Sequence, residues 1–260
     1  MALATEARKM GYRVVAIALK PLADKSLSPF ADEFCEVGVG HLGKLIGILK
    51  KFNIRDVVMA GKVPKGLLYK HKGSILPDIR AIKLLFSLKD RSDDSIMLGI
   101  IKELEKEGIK LLKITTFTKN LLAPEGVLTK RQPKEGQWKD IEFGWKIAKE
   151  IGRLDIGQTV VVKDLAVMSV EAIEGTDEAI LRGGELAGHE AVVIKISKPQ
   201  QDMRFDVPAV GVDTLHVMKK THADVLAIEA DKSIIIDREK FIHEADRLGV
   251  TVVGVSSDKF

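Results

Sequence analysis

The stretch Lys198–Gly211, KPQQDMRFDVPAVG, places two cations, Lys198 and Arg204, and two carboxylates, Asp202 and Asp206, between runs that read as strands. Pro199 and Pro208 fix the backbone near each end and forbid a continuous helix. A charged connector stiffened by proline is a place to bind or react. A surface loop with ordinary solvated charges fits the same residues equally well. Other loops add to the inventory. Lys62 and Lys65 follow a strand-like run, where α/β sheets bind ligands. Asp93, Asp94, Asp155, Glu174 and Asp177 lie between elements. Carboxylates that hold a hard cation, beside Lys or Arg that hold phosphate, are the parts of metal-assisted phosphoryl chemistry. They form an inventory, not yet a geometry.

Each of these residues also has a plainer reading. Ser92 is a good helix N-cap, and Asp93 and Asp94 then sit in a first turn, where carboxylates favour the helix dipole. The sharper reading makes them a carboxylate pair for a divalent metal; spacing alone favours the cap. Thr176 is a fair N-cap for a helix at Glu178–Leu181. Gly38, Gly40 and Gly43 fit G-x-G-x-x-G, a dinucleotide fingerprint, before a helix at 44–52. The strand before them reads as very short, and no acidic residue closes the next strand, Asp56–Ala60. A glycine-eased helix entrance is therefore preferred to an NAD site. The sequence lacks a phosphate-binding P-loop, H-E-x-x-H, G-x-S-x-G and paired cysteines. Its six histidines show no ligand spacing.

The elements that must position these residues alternate between helix and strand. The first half reads as a helix at 2–10, a strand at 12–19, the glycine-rich helix entrance, a helix from Ser92 to Gly108 and a strand candidate at 109–116. Leu121–Asp140, with Pro124, Gly126, Pro133 and Gly136, is the longest turn-rich stretch and the expected domain boundary, giving domains 1–128 and 129–260. The second half reads as a helix at 141–151, then strands 159–163 and 166–172 joined by a tight turn at Asp164–Leu165. A strand at 191–196 leads into the charged connector. Beyond it come a helix at 213–220 capped by Asp213, strands at 223–228 and 233–236, a helix at 238–248 and a last strand at 250–255. The class is α/β with mixed order.

Hydrophobic residues make up 45% of the 260, enough for a sizeable core, and at 5% aromatic that core is aliphatic. A formal net charge of +4 is too mild to argue for nucleic acid. The single cysteine, Cys35, forbids an internal disulfide and suits a reducing compartment. No stretch approaches the roughly 18–20 apolar residues of a spanning helix. A cytoplasmic protein is expected.

Four long motifs, EIGRLDIGQ (150–158), VEAIEGTDEAILR (170–182), KPQQDMRFDVPAVG (198–211) and IEADKSIIIDREKFIHEADRLGVTVVGV (228–255), resemble the LpxI family of UDP-2,3-diacylglucosamine pyrophosphatases of lipid A biosynthesis. VGVGHLGK (37–44), MAGKVPK (59–65) and the acidic pair of RSDDS resemble landmarks of the same family. The resemblance covers nearly the whole chain. It implies two α/β domains, an N-terminal Rossmann-like one and a C-terminal catalytic one. The implied reaction is Mg²⁺- or Mn²⁺-dependent hydrolysis of UDP-2,3-diacylglucosamine to UMP and 2,3-diacylglucosamine 1-phosphate. On the same resemblance Asp206 is the essential carboxylate, with Asp93, Asp94, Glu174 and Asp177 as further metal candidates. Lys62, Lys65, Thr176, Lys198, Gln201 and Arg204 are substrate-binding candidates. The family implies a homodimer, cytoplasmic or peripheral at the inner membrane. Family members open with a strand and a glycine-rich turn, whereas this chain opens on MALATEARKMG. The first strand and its phosphate-facing loop are therefore expected to be missing. The alternative this leaves is a nucleotide- or lipid-binding relative without turnover.

Overall fold

The computed structural model describes residues 1–23, 25–61, 76–88, 90 and 93–260, apart from the side chains of Asp93 and Asp94. It divides into two compact units, Met1–Phe117 with Met203–Phe205, and Thr118–Asp202 with Asp206–Phe260.

The first unit opens with α1 (Ala2–Lys9). Two strands, β1 (Val15–Lys20) and β2 (Glu33–Gly38), then pair in parallel, Val15 opposite Glu33. Strand β1 begins three residues later than its apolar run suggests: the Asp32 carboxylate accepts the Val14 amide at 2.8 Å, and Tyr12 packs edge-on against Phe117. Next comes α2 (Leu42–Lys51), with Leu42, Ile46 and Leu49 on one face at helical spacing. β3 (Asp56–Val57) follows, then α3 (Ile79–Ser87), α4 (Asp93–Glu105) and β4 (Lys110–Leu111), which pairs in parallel with β3. The buried face of α2 packs in one cluster with Ala81, Leu84, Leu104 and Ile109. The runs at 56–60 and 109–116 thus contribute only two ladder residues each, and the second turns into a 3-10 segment at Ile114–Thr116.

One carboxylate serves two helices in this unit. Asp78 caps α3 by accepting the Ala81 amide at 2.9 Å, and it accepts the Gly43 and Lys44 amides of α2 at 2.7 and 3.3 Å. Desolvation opposes its ionisation, but these backbone donors outweigh it and hold the carboxyl below the usual Asp range. A dinucleotide fingerprint would present those first-turn amides to a pyrophosphate. Here a side chain already fills them. The strand before the glycines is not short, since β2 has six residues; the Asp78 cap is the physical ground for setting the NAD reading aside.

The second unit runs β5 (Gly126–Val127), α5 (Glu135–Arg153), β6 (Thr159–Lys163), β7 (Ala166–Val170) and α6 (Thr176–Ala187). It continues with β8 (Ala191–Lys195), β9 (Ala209–Val210), α7 (Val212–Lys220), β10 (Ala223–Glu229), β11 (Ile234–Ile235), α8 (Arg238–Leu248) and β12 (Thr251–Val255). Six strands form one mixed sheet in the order β5-β12-β10-β8-β6-β7. β8, β10 and β12 are parallel; the other pairings are antiparallel. Strands β9 and β11 form a separate parallel pair.

Alternation along the strands sorts the core into two layers. Val160, Val162, Val192, Ile194, Val225 and Ala227 face Ile141, Trp145 and Ala148 of α5. Val161, Val193, Leu226, Ile228 and Val252 face Ile180 of α6, Leu215 and Met218 of α7, and Phe241 of α8. Each large side chain buried this way contributes about 1.5–3 kcal/mol. At Gly183 of α6 an added Cβ would lie 2.2 Å from Ser169 Oγ and 2.6 Å from Val161 Cβ, so only glycine lets the helix approach the sheet this closely.

Local chemistry explains where elements match or miss their sequence pattern. Asp164 and Leu165 both have positive φ, +50° and +59°, as a two-residue hairpin turn of type I′ requires. The Asp140 carboxylate accepts both their amides, at 3.1 and 2.7 Å, and so holds a leucine in a conformation it disfavours. α5 begins six residues before the pattern suggests, because the Gln137 side chain accepts the Lys134 amide at 2.9 Å and secures the first turn through Gly136.

Candidate active site

The carboxyl-terminal ends of parallel strands are where open α/β sheets bind ligands. In the second unit these ends belong to β8, β10 and β12, and the motifs read from sequence gather on the chain that leaves or flanks them.

β8 ends in Lys195, 7% exposed. Its ammonium donates to Thr176 Oγ1 at 3.0 Å, and that hydroxyl donates to Glu171 Oε1 at 3.0 Å. Glu171 is also buried, at 8% exposed. Thr176 is the first residue of α6, not its cap. Gly175 takes the cap position with φ +90°, which leaves the hydroxyl to bridge Lys195 and Glu171. Asp177 is exposed in the first turn of α6. Glu174 is committed elsewhere: Arg182 donates to it at 2.6 Å and the Ala172 amide at 3.2 Å. Its own amide, then Arg182, hold the Glu174 carboxyl below the usual range against desolvation.

The charged connector leaves β8 through Ser197. Gln201 folds back on this exit, its Oε1 accepting the Lys198 amide at 2.9 Å and the Ser197 hydroxyl at 3.0 Å. Gln201 Nε2 is buried and has no hydrogen-bond partner among the described residues. Lys198 Nζ lies 2.5 Å from Asp155 Oδ1, and Gln200 donates to the Gly152 carbonyl at 2.8 Å. Further on, the Asp206 amide donates to the Asp202 carbonyl at 3.0 Å, closing a turn that carries Arg204. Asp206 itself is exposed. The Pro208 carbonyl then accepts the Ile234 amide at 2.8 Å, and the chain enters β9. Asp206 thus stands on a connector tied down at both ends.

Sequence reasoning passed over Glu229, the last residue of β10 and 0% exposed. Lys149 Nζ of α5 donates to both its oxygens at 2.7 Å. The Ser197 amide and the Ser257 hydroxyl each donate at 2.7 Å, and Lys232 Nζ lies 3.0 Å away. Burial opposes ionisation of this carboxyl. The donors from Lys149, Ser257, Lys232 and Ser197 outweigh burial and hold it below the usual Glu range. The available signal was a carboxylate that closes a strand apolar from Val225 to Ile228, ADVLAIE.

Of the remaining candidates, Lys62 and Lys65 lie outside the described residues. Asp93 and Asp94 begin α4, and their side chains lie outside them too. Among the described residues, no three His, Cys, Asp or Glu side chains gather to hold a metal ion. Thr176 joins Lys195 and Glu171, and Lys198 joins Gln201 and Asp155, but Glu174 is drawn off by Arg182.

Comparison with known proteins covers both units. Residues 1–121 match the family model described as the LpxI N-terminal domain, and residues 124–253 match the LpxI C-terminal domain. The chain is 33% identical over 264 residues to a Caulobacter vibrioides protein named UDP-2,3-diacylglucosamine pyrophosphatase LpxI, covering 97% of this chain and 92% of that one.

Proposed function

Because the chain belongs to the LpxI family across both of its domains, we propose that it hydrolyses the pyrophosphate of UDP-2,3-diacylglucosamine to UMP and 2,3-diacylglucosamine 1-phosphate. The observation that carries this reading is the match, over 97% of the chain, to a relative named for that substrate and bond. Water adds to the α-phosphorus, the bond from that phosphorus to the bridging oxygen breaks, and the bridging oxygen leaves with the sugar phosphate. Asp206, exposed on its anchored connector, accepts a hydrogen bond from the attacking water and orients it. Lys198 and Arg204 offset phosphate charge, and Gln201 holds the connector's first turn.

A divalent cation, Mg²⁺ or Mn²⁺, belongs to the same proposal. When bound, it neutralises phosphate oxygens and lowers the pKa of water. The described carboxylates do not by themselves gather into a cation site. No helix among the described residues is long and apolar enough to cross a membrane. A diacylated substrate resides in one, and this supports a protein that meets the inner membrane peripherally from the cytoplasmic side. The family resemblance supports a homodimer.

The test is UMP release from UDP-2,3-diacylglucosamine by this 260-residue chain, with and without Mg²⁺, beside EDTA and Asp206→Ala arms. Release that requires both the cation and Asp206 is the expected result. Substrate binding without UMP release would replace the enzyme with a binding relative.

A further inference from the structure

The exits of the three parallel strands in the second unit converge on one side chain. Glu229 ends β10, Ser197 follows β8 and Ser257 follows β12. The Glu229 carboxylate accepts the Ser197 amide at 2.7 Å and the Ser257 hydroxyl at 2.7 Å. Both its oxygens are held by Lys149 at 2.7 Å, from the helix that covers that face of the sheet. The Lys149 ammonium also donates to the Ser197 carbonyl at 3.3 Å. The backbone of Ser197 is therefore gripped on both its amide and its carbonyl by the two halves of one ion pair. The next residue begins the connector that carries Lys198, Gln201 and Asp206.

A buried ion pair is weak evidence of stability, because desolvation offsets most of the attraction. What such a pair does supply is direction: a carboxylate 0% exposed and fully engaged cannot rotate away. A neutral acceptor would bind the Ser197 amide less strongly and lose the grip of Lys149.

We propose that Glu229 is a positioning residue for the hydrolysis. With Lys149 it fixes the backbone at Ser197 and thereby the placement of Lys198, Gln201 and Asp206, without touching substrate. This rests on the pyrophosphatase reading for its catalytic consequence, and on geometry alone for the anchoring.

Two measurements on the full chain separate these parts. The variant is Glu229→Gln, of nearly the same shape. The control is Phe241→Leu, a truncation in the core of α8 that lowers stability away from the connector. In amide hydrogen exchange, Glu229→Gln is expected to speed exchange at Ser197 and through residues 198–206 by tenfold or more, with the β6–β7 hairpin unchanged. In the UMP-release assay, run well below the melting temperature of every protein, kcat is expected to fall at least tenfold for Glu229→Gln and less than twofold for Phe241→Leu. A fall in both variants that follows only their melting temperatures would mark Glu229 as structural and overturn the proposal. Unchanged exchange at 197–206 would overturn it, as would faster exchange with parental kinetics. If the parent chain releases no UMP, the pyrophosphatase reading fails, and hydrogen exchange alone decides the anchor.

Discussion

The Lys198 ammonium lies 2.5 Å from the Asp155 carboxylate and joins the first residue of the charged connector to the turn that follows α5. Asp155 is mostly exposed, with its backbone in the left-handed region at φ +57°. Its carboxylate is an acceptor that a phosphate can replace. A pair with one exposed partner contributes about 0–1 kcal/mol to stability. Lys198→Ala is therefore expected to melt close to the parent. Its KM for UDP-2,3-diacylglucosamine should rise roughly tenfold or more, the usual cost of losing a charged hydrogen bond. Steady-state kinetics beside a thermal melt checks both halves.

Asp206→Ala removes an exposed side chain whose own amide stays bonded to the Asp202 carbonyl. Its circular dichroism and melting temperature should match the parent. UMP release should fall by at least about a hundredfold, the scale of a lost group that orients or deprotonates water. Release at the parental rate would remove Asp206 from the mechanism.

Glu229 sets the sign of an acid effect. Its carboxyl is held below the usual 4.5 in the folded protein, so the unfolded chain binds the proton more tightly. The stabilisation is complete above about pH 4.5 and is lost as pH falls through the lower folded value. Glu229→Gln carries no such proton. Denaturation of the parent and of Glu229→Gln between pH 3 and pH 7 should converge toward the acid end. Parallel curves would show the carboxyl to be unshifted.

Gly183→Ala drives a methyl group toward Ser169 Oγ and Val161 Cβ, at 2.2 and 2.6 Å before relaxation. Overpacking of this kind costs about 1–3 kcal/mol. Thermal melts should show the loss. An unchanged melt would mean that α6 can lift from the sheet at no cost.

The sequence was most legible where a single local rule decides the outcome. The hairpin from Thr159 and the helix Arg238–Leu248 follow from β-branched runs around a tight turn and from helical spacing; the helix lies where its pattern places it, and the second hairpin strand ends at Val170, two residues before the expected 172. Caps were harder. Thr176 and Asp213 look like N-caps, yet Gly175 and Gly211 hold those positions and the expected caps become first-turn residues. Which residue caps depends on where the chain turns in, and composition does not carry that. Five strands of the six-strand sheet were visible but their order was not, since the pairing of β8 with both β6 and β10 is a tertiary matter, and β5 lies inside the stretch that reads as turns. Within the site, the connector announced itself through its charges and prolines. Glu229 did not, because its donors come from residues 149, 197, 232 and 257. No window of sequence holds those four together, and a carboxylate after an apolar strand reads as a solvated end.

The short strand β5 bears on how the second unit can be cut. Ala123, 0% exposed, donates its amide to the Ser233 carbonyl at 2.8 Å and accepts the Asp231 amide at 2.9 Å. Gly126 and Val127 pair with Gly254 and Val253, and the Leu128 amide donates to the Val252 carbonyl at 2.9 Å. A fragment meant to carry this unit alone must therefore begin before Leu122. One that starts after Leu128 would bare the backbone of β12 along a full sheet edge, the kind of surface through which chains stick to one another. It would then be recovered as aggregate even with the rest of its core intact.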